Sequence, residues 1–282
     1  MKAEVRRLLG RAVFGAGLDA VLLRDTAIVV AFHRVHDSNE PEGLSVSVRA
    51  FEQYCRFFKE HFKVVSLGEL VRRLEQGQSP HRELAITFDD GYLDNHDTAA
   101  PILERLGLPA TFFVVTEWMG TDLVPWWDRV RNLRHPWMTW DHVRALHRRG
   151  FEIGAHTRTH VDLGVVSIDE AHEEIAGSRR ELERQLGGAV GLFAYPYGRR
   201  HNLTDANLEL VRAAGFRCCC SCFGGVNTRA SDPFRLARVA VTPWYDSPHH
   251  LGLEVALGRS EVAGNAPVPS FQLPVISSAS SQ

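Results

Sequence analysis

Two neighbouring acids, Asp89 and Asp90, are the residues of this sequence best placed for chemistry. They follow the apolar run 84–88, a predicted strand, and precede Gly91. Adjacent carboxylates repel each other and are costly to hold near a core unless something neutralises them, as a cation would. Because successive strand residues point in opposite directions, the two acids could have different roles. Taken alone, however, Asp-Asp-Gly after a strand is more typical of a turn or a helix cap.

A pair of histidines, His156 and His160, follows another predicted strand. The two could bind one cation if the segment between them formed a helical turn. Neutral imidazole is a good ligand for Zn²⁺, and a carboxylate can supply a third position. With 14 histidines in the chain, a pair at this spacing can arise by chance, but acids and histidines that both follow strands form a much more specific pattern. Together they predict a site for one divalent cation, Zn²⁺ first, with Co²⁺ or Ni²⁺ as alternatives.

A third segment, residues 193–198, combines a strand end with aromatic residues. Pro196 fixes its own φ and restrains Tyr195 to extended conformations. The backbone N–H of Tyr197 could then point at a developing oxyanion. The alternative is a simple turn that closes the strand. We keep Tyr195 and Pro196 as candidate substrate contacts and Tyr197 as a candidate catalytic residue.

Short apolar runs that alternate with amphipathic helical patterns must position these residues, and they predict a parallel α/β architecture. The predicted strands are residues 27–32, 64–65, 84–88, 110–115, 151–155, 192–195, 216–222 and 236–241, and the predicted helices are residues 51–62, 67–74, 98–106, 140–149, 168–186 and 205–214. In a parallel barrel, the loops after the strands form one face and carry the active site. Several of these strands end in polar residues, which favours a single (β/α) barrel, irregular or incomplete, over two domains.

The charge balance of the sequence bears on its partners, and its composition bears on its division into segments. The balance of 32 Lys and Arg against 34 Asp and Glu gives no reason to expect nucleic acid or an acidic membrane surface as the main partner. The oligomeric state stays open. The sequence divides into residues 1–25, a predicted helical segment, residues 26–258, the predicted main domain, and residues 259–282, a Ser- and Pro-rich predicted disordered tail.

The N-terminal segment is apolar but does not predict a transmembrane helix. Asp19 interrupts its apolar stretch, which falls short of the roughly 20 residues that a span requires. It also lacks a convincing signal-peptide pattern. We expect an amphipathic helix that lies on the barrel or weakly on a membrane, and the cytoplasm as the compartment.

Four of the five cysteines crowd into residues 218–222. Neighbours this close cannot easily pair with one another, and the run lacks the C-x-x-C spacing of a structural zinc site. Because free cysteine packs as a small hydrophobic residue, we expect a strand of buried thiols.

The three polar segments together resemble the motifs of the polysaccharide deacetylase family, the NodB-homology or carbohydrate esterase family 4 domain. Residues 87–91 match its first motif, residues 156–160 match its His-[Ser/Thr]-x-x-His motif, and residues 195–198 are similar to the third. The resemblance covers about residues 26–242. It implies an irregular barrel and a metal-dependent hydrolase that removes N-acetyl groups from N-acetylhexosamine units of a polysaccharide or glycan precursor.

The resemblance also implies a role for each motif residue. Asp89 would be the general base, and the metal ligands would be Asp90, His156 and His160. A metal-activated water would attack the acetyl carbonyl while Asp89 removes its proton. The Tyr197 amide would help to stabilise the oxyanion.

Two departures from the family pattern concern the groups around this centre. Ala194 stands where the third motif usually has an Arg that orients the base, and Arg238 is a candidate to replace it. The late Leu-x-His motif that normally supplies the acid is missing. His33, at the end of the first predicted strand, offers a replacement, as in circularly permuted members such as the deacetylases of biofilm poly-N-acetylglucosamine. The alternative is a buried His that only supports the metal site.

Trp126 and Trp127, in the long loop after the predicted strand 110–115, are further candidate substrate contacts. Long loops in compact domains are often functional, and indole faces stack well on the C–H surfaces of sugars. Two tryptophans that cap the barrel are equally compatible with the sequence.

Two other functions stay open. The same machinery could act on another amide, such as the formyl group of a lipid-linked aminosugar or a small cyclic amide. A non-catalytic carbohydrate-binding relative would keep the fold without turnover. The missing Arg at position 194 favours this last alternative, whereas the paired acids and histidines argue against it, because they would destabilise the fold without serving a function.

Overall fold

The computed structural model describes residues 3–37 and 43–258 of the chain. Its strands are β1 (Ala27–Phe32), β2 (Arg34–Val35), β3 (Ser45–Val46), β4 (Lys63–Val64), β5 (Glu83–Phe88), β6 (Thr111–Val114), β7 (Glu152–Ala155), β8 (Leu192–Ala194), β9 (Cys218–Cys220) and β10 (Val239–Ala240). Its α-helices are α1 (Ala3–Gly15), α2 (Asp19–Leu22), α3 (Val48–His61), α4 (Leu67–Glu75), α5 (Ala100–Leu106), α6 (Trp126–Arg129), α7 (Trp140–Arg148), α8 (Ile168–Leu186), α9 (Asp205–Ala213) and α10 (Pro248–Ala256).

Eight of the strands form one parallel sheet that curls into an incomplete barrel. Their order is β10–β1–β5–β6–β7–β8–β9, and β4 pairs with the first residues of β5. β10 pairs with β1, and shortly before β10 a bridge joins Leu236 to Cys220 in the opposite edge strand. The predicted irregular (β/α) barrel is therefore confirmed.

The central strands β1 and β5 are buried along their whole length. Parallel strands that are covered on both faces have continuous apolar runs instead of alternating ones, which is why these two strands are the clearest in the sequence. The polar residues of β5 have partners inside the fold. Glu83 pairs with Arg73, and the Thr87 hydroxyl donates to the Val30 carbonyl at 2.9 Å.

Most helices lie where the sequence predicts them. α8 has the predicted bounds, and α4 begins after Ser66, whose hydroxyl accepts a hydrogen bond from Glu69 N at 3.2 Å. The helix predicted over residues 98–106 differs, because a π-helical stretch, Asn95–Ala99, precedes α5. Such stretches occur often at functional sites, and this one follows the paired acids closely.

Two helices form the N-terminal part of the described chain. The predicted N-terminal helical segment contains α1 and α2, and α1 packs against α10. The predicted disordered tail, residues 259–282, lies outside the described residues. Within residues 3–37 and 43–258, no helix combines the length and the apolar character that crossing a membrane requires.

The predicted strand of thiols is β9, whose cysteines are buried and free.

Candidate active site

The predicted motif residues meet at the carboxyl end of the sheet. Asp89 and Asp90 directly follow β5, His156 follows β7, and His33 follows β1. β1 and β5 are neighbours in the sheet, and only β6 separates β5 from β7. Because the strands are parallel, residues far apart in the sequence share one edge.

Asp90, His156 and His160 form a compact buried cluster. Oδ1 of Asp90 lies 3.4 Å from Nε2 of His156 and 3.3 Å from Nε2 of His160. One ligand atom from each of the three residues lies within 4.8 Å of the other two. Two imidazoles and one carboxylate are a donor set that Zn²⁺ takes in catalytic sites.

The state of these side chains fits a bound cation. The Nδ1 atom of His156 lies 2.8 Å from the carbonyl oxygen of Ala194, which can only accept, so Nδ1 carries the proton and Nε2 presents a lone pair. Burial lowers the pKa of His160 and favours its neutral, ligating form. Burial alone would raise the pKa of Asp90, but the neighbouring imidazoles hold that pKa well below its ordinary value. In the described part of the chain, no donor meets the buried Oδ1 of Asp90 with hydrogen-bond geometry.

A strained loop, and not the predicted helical turn, brings the two histidines together. Thr157 and His160 have positive φ angles of 64° and 63°, and His160 N donates to the Thr157 hydroxyl at 3.0 Å. Glu174 of α8 holds the loop, since its carboxylate accepts from the backbone N–H groups of Arg158 and Thr159 at 2.9 Å each. The motifs do not single out Glu174, because it is one of several acids on a charged helix.

Backbone strain concentrates at this site. Among the described residues, six non-glycine positions have a positive φ, and four of them belong to the three motifs: Asp90, Thr157, His160 and Tyr197. Asp90 is the central residue of a three-residue turn, in which Gly91 N donates to the Asp89 carbonyl oxygen at 3.0 Å. Tyr197 is the central residue of a similar turn, in which Gly198 N donates to the Pro196 carbonyl oxygen at 2.6 Å. Such turns are rare and strained, and strained residues cluster at active sites.

Arg238 contacts Asp89 in the way expected of the missing motif arginine. It directly precedes β10 and is fully buried. Its two terminal nitrogens donate to the two carboxylate oxygens of Asp89 at 2.7 Å each, and its Nε donates to the Ser221 carbonyl at 2.5 Å. Burial alone would raise the pKa of Asp89, but the charge of Arg238 brings that pKa below its ordinary value. Asp89 is therefore a carboxylate with a fixed orientation.

Cys222 lies against this pair, which the sequence did not indicate. Its Sγ lies 3.0 Å from Nη2 of Arg238 and 3.8 Å from Oδ2 of Asp89. Burial raises the pKa of the Cys222 thiol to about 12, so the thiol stays neutral. Gly198 allows this approach, since a Cβ there would lie 2.4 Å from the Cys222 nitrogen.

His33, the candidate acid, lies in the electrostatic field of both carboxylates. Its burial lowers its pKa, while the charges of Asp90 and Asp89 act in the opposite direction. Asn95, from the π-helical stretch, donates to the His33 carbonyl oxygen at 2.7 Å and fixes the backbone there. The structure thus brings His33 to the same site as the metal-ligand candidates.

Aromatic side chains surround His160. The ring centroids of Trp118 and Trp127 each lie 5.2 Å from that of His160, and the Tyr197 centroid lies 4.9 Å away. Trp126 packs against Trp127 at 5.8 Å and is 41% exposed, and Tyr197 is 38% exposed. Trp126 and Tyr197 therefore offer open aromatic surface beside the cluster.

Tyr195 and Pro196 differ from their predicted role as substrate contacts. Both residues are buried, and the Tyr195 ring packs on Phe193 with 5.4 Å between centroids. A side chain without exposed surface has nothing to offer a ligand in this conformation. The two residues instead support the turn that carries Tyr197.

The chain belongs to the polysaccharide deacetylase family, whose sequence model matches residues 76–219. It is a hydrolase of the polysaccharide deacetylase type, which acts on carbon–nitrogen amide bonds other than peptide bonds. Its family membership agrees with the motifs and with the curled parallel sheet described above.

Individual relatives agree with this assignment. The poly-beta-1,6-N-acetyl-D-glucosamine N-deacetylase of Staphylococcus aureus (strain MRSA252) is 24% identical over 250 residues, which cover 80% of this chain and 82% of the relative. Among solved structures, the Streptococcus pyogenes deacetylase PplD, in complex with acetate, has a TM-score of 0.69 at 23% identity, over 83% of this chain and 99% of that chain. IcaB from Ammonifex degensii has a TM-score of 0.69 at 24% identity, over 82% and 97%. The two structures share the fold of this chain.

Proposed function

We propose that this protein removes N-acetyl groups from N-acetylhexosamine units of a polysaccharide or glycan precursor by metal-dependent hydrolysis. The proposal rests on one juxtaposition: a buried cluster of two histidines and Asp90 lies next to a second carboxylate, Asp89, which Arg238 orients. The name of the Staphylococcus aureus relative, a poly-beta-1,6-N-acetyl-D-glucosamine N-deacetylase, supports N-acetylglucosamine as the sugar.

In this proposal Asp90, His156 and His160 hold one divalent cation, Zn²⁺ first and Co²⁺ or Ni²⁺ as alternatives. When bound, such a cation supplies Lewis-acid polarisation of the acetyl carbonyl and acidifies water. The Ala194 carbonyl keeps the proton of His156 on Nδ1 and thereby keeps the other ring nitrogen free to act as a ligand.

Asp89 is the proposed general base. The charge of Arg238 keeps it ionised and the bidentate contact fixes the plane of its carboxylate. As water attacks the acetyl carbon, a new C–O bond forms and the water proton passes to Asp89. The carbonyl oxygen gains negative charge, and we assign the Tyr197 backbone N–H as a donor to it.

His33 is the proposed general acid. When the C–N bond breaks, a proton must reach the departing nitrogen, and the products are acetate and a free amine. His33 must be charged to donate that proton. Burial lowers its pKa, and the charges of Asp90 and Asp89 offset only part of this effect. Trp126 and Tyr197 are the proposed sugar contacts, since both expose aromatic surface.

The test is acetate release by the purified protein from chito-oligosaccharides and from β-1,6-linked poly-N-acetylglucosamine. We expect a chelator to abolish turnover and added Zn²⁺, Co²⁺ or Ni²⁺ to restore it. Asp89→Asn should lower turnover about 10²–10⁴-fold with unchanged metal content, measured by elemental analysis. Absence of acetate release by the metal-loaded protein would favour another amide substrate or a non-catalytic role, and chelator-resistant turnover would contradict metal dependence.

A second variant tests the acid. His33→Ala should lower turnover about 10²–10⁴-fold without loss of metal, because the proton donor disappears while the ligands remain. Loss of metal from the His33→Ala variant would instead assign His33 a supporting role at the cation site.

A further inference from the structure

The buried guanidinium group of Arg238 has an acceptor for each of its N–H groups. An arginine carries five such donors and no acceptor. Nη1 and Nη2 donate to the Asp89 carboxylate, Nη1 also donates to the Thr87 hydroxyl at 3.1 Å, and Nε donates to the Ser221 carbonyl oxygen. The acceptor for the last donor is Sγ of Cys222, 3.0 Å from Nη2. The whole hydrogen-bonding capacity of this side chain is therefore used in one arrangement.

Thr87, the first residue of the Asp-Asp-Gly motif, presents a lone pair to Arg238. A hydroxyl has a single hydrogen to donate, and that of Thr87 goes to the Val30 carbonyl oxygen at 2.9 Å. The Thr87 oxygen can therefore only accept from Nη1 of Arg238. Because Thr87 lies on β5, which leads directly into Asp89, one strand carries both the proposed base and an acceptor that fixes its counter-charge.

Cys222 connects the proposed base to the turn that carries Tyr197. Its side chain meets both members of the ion pair, since Sγ lies 3.0 Å from Nη2 of Arg238 and 3.8 Å from Oδ2 of Asp89. Its backbone N–H donates to the Gly198 carbonyl oxygen at 2.8 Å, and Gly198 directly follows Tyr197. One residue thus contacts the base and its arginine through the side chain, and the turn of the proposed oxyanion donor through the backbone.

The partners of Arg238 other than Asp89 are neutral. The Thr87 hydroxyl and the Ser221 carbonyl carry no charge, and burial raises the pKa of the Cys222 thiol to about 12, so that its sulfur is a weak, neutral acceptor. Among the described residues, Asp89 is the one carboxylate that forms an ion pair with Arg238. The counter-charge of Arg238 therefore acts on the proposed base, while the neutral contacts fix the position of the guanidinium.

We propose that Cys222 and Thr87 are positioning residues for the base. They hold the guanidinium of Arg238 against both oxygens of the Asp89 carboxylate, and they act on the reaction through this arginine. The inference rests on the proposed function, because it concerns the base of that reaction. The alternative is that Cys222 only fills space beside the ion pair. The two roles differ in whether the acceptor at position 222 or its volume matters.

The experiment compares kcat and KM for acetate release by Cys222→Ala and Cys222→Ser. Cys222→Ala removes an acceptor of Arg238, and we expect kcat to fall about 10–100-fold with KM almost unchanged, since the substrate contacts remain. Cys222→Ser also reduces the volume but keeps an acceptor, and should retain most of the activity. If Cys222 only filled space, the two variants would have the same kcat. The matched control, Cys55→Ala, removes a buried thiol of α3 and should leave kcat unchanged.

A second pair of variants and a structural comparison complete the test. If Cys222→Ala does not fold, Thr87→Val should lower kcat in the same way, because it has a similar shape without the hydroxyl, and Thr87→Ser should retain activity. Crystal structures of the unchanged protein and of either inactive variant require no turnover, and we expect Arg238 to lose one of its two contacts with Asp89 in the variant. Absence of acetate release by the unchanged protein would contradict the proposed function alone. The positioning role is overturned if the variants keep both contacts, or if Cys222→Ala and Cys222→Ser have equal kcat values.

Discussion

Two arginine–aspartate pairs are buried beside the candidate active site, and their geometries differ. Arg238 meets Asp89 through two hydrogen bonds of 2.7 Å, one to each carboxylate oxygen. Arg34 meets Asp128 through one of its terminal nitrogens at 2.9 Å. All four side chains have almost no exposed surface. The first pair holds the proposed base, whereas the second joins β2 to α6, the short helix that carries the two tryptophans.

The difference indicates what each pair controls. A bidentate arginine fixes both the position and the plane of a carboxylate, whereas a single hydrogen bond fixes position alone. Burying a charged pair is costly, so such a pair is weak evidence for stability in itself, but removing one partner is strongly destabilising. Loss of either pair should therefore destabilise the fold. Because Arg238 fixes the plane of the proposed base, we expect its removal to lower turnover as well, whereas the pair of Arg34 and Asp128 should act mainly on stability and on the placement of α6.

The largest effect is expected at Arg238. Arg238→Met leaves Asp89 buried without its counter-charge, so the carboxylate loses its orientation and tends to take up a proton. We expect kcat to approach that of Asp89→Asn, about 10²–10⁴-fold below the unchanged protein, with unchanged metal content. Arg238→Lys keeps the charge but not the fork, and should be intermediate. Steady-state kinetics and elemental analysis measure both.

A double variant distinguishes positioning from general destabilisation. In an Asp89→Asn background the further change Arg238→Met should cost little additional activity, because residues that act as a unit are strongly non-additive. Independent, multiplicative losses in kcat would contradict a role of Arg238 through Asp89.

The next effect concerns the second pair. Asp128→Asn removes the buried carboxylate that Arg34 contacts at 2.9 Å, and we expect the free energy of unfolding to fall by about 3–5 kcal/mol. Because α6 carries Trp126 and Trp127, KM for an oligosaccharide should rise more than kcat falls. Urea denaturation and steady-state kinetics give the two readouts.

A matched control replaces both charges of this pair. Arg34→Met combined with Asp128→Leu removes both charges of the pair and should recover most of the lost stability. If the double variant were as unstable as Asp128→Asn, packing and not charge would explain the loss. If kcat fell while KM stayed constant, the pair would belong with the reacting groups, and the proposed contrast with Arg238 would fail.

The parts of this site that the sequence predicts are local. Short, mostly apolar runs followed at once by Asp89 or His156 identify both a strand and the first residue after it. The same local reasoning fails where the answer depends on the backbone. A spacing of four residues suits a helical turn, but the positive φ of Thr157 and His160 has no signal in those residue types.

Contacts between residues that are far apart in the sequence are the second kind of feature that the sequence does not predict. Asp89 and Arg238 are 149 residues apart, and the pairing of β10 with β1 brings Arg238 to the acids. This contact also removes the main reason to regard the chain as a non-catalytic relative, since Ala194 is compensated from another strand. Tyr195 is a motif residue for which the sequence predicts a substrate contact, but its ring is buried against Phe193.

The smallest predicted effect comes from Asp94, a half-buried acid four residues after Asp90. No arginine in the described residues is hydrogen-bonded to it. Burial raises its pKa from 3.8 to about 6, although Val35 N–H and His36 act in the opposite direction. The folded state therefore binds this proton more tightly than the unfolded state. Its contribution to stability is fully present below about pH 4 and is lost as the pH rises towards 6.

Asp94→Asn should remove this pH dependence. Each pKa unit corresponds to about 1.4 kcal/mol. We therefore expect the stability of the variant, measured against that of the unchanged protein, to increase by roughly 1–3 kcal/mol between pH about 4 and neutral pH. Urea denaturation at both pH values measures the difference. If the free energy of unfolding of the two proteins depended on pH in the same way, ionised Asp94 would cost the fold little stability although no described arginine is hydrogen-bonded to it. Burial alone would then not explain why Asp89 and Asp128 are each paired with an arginine.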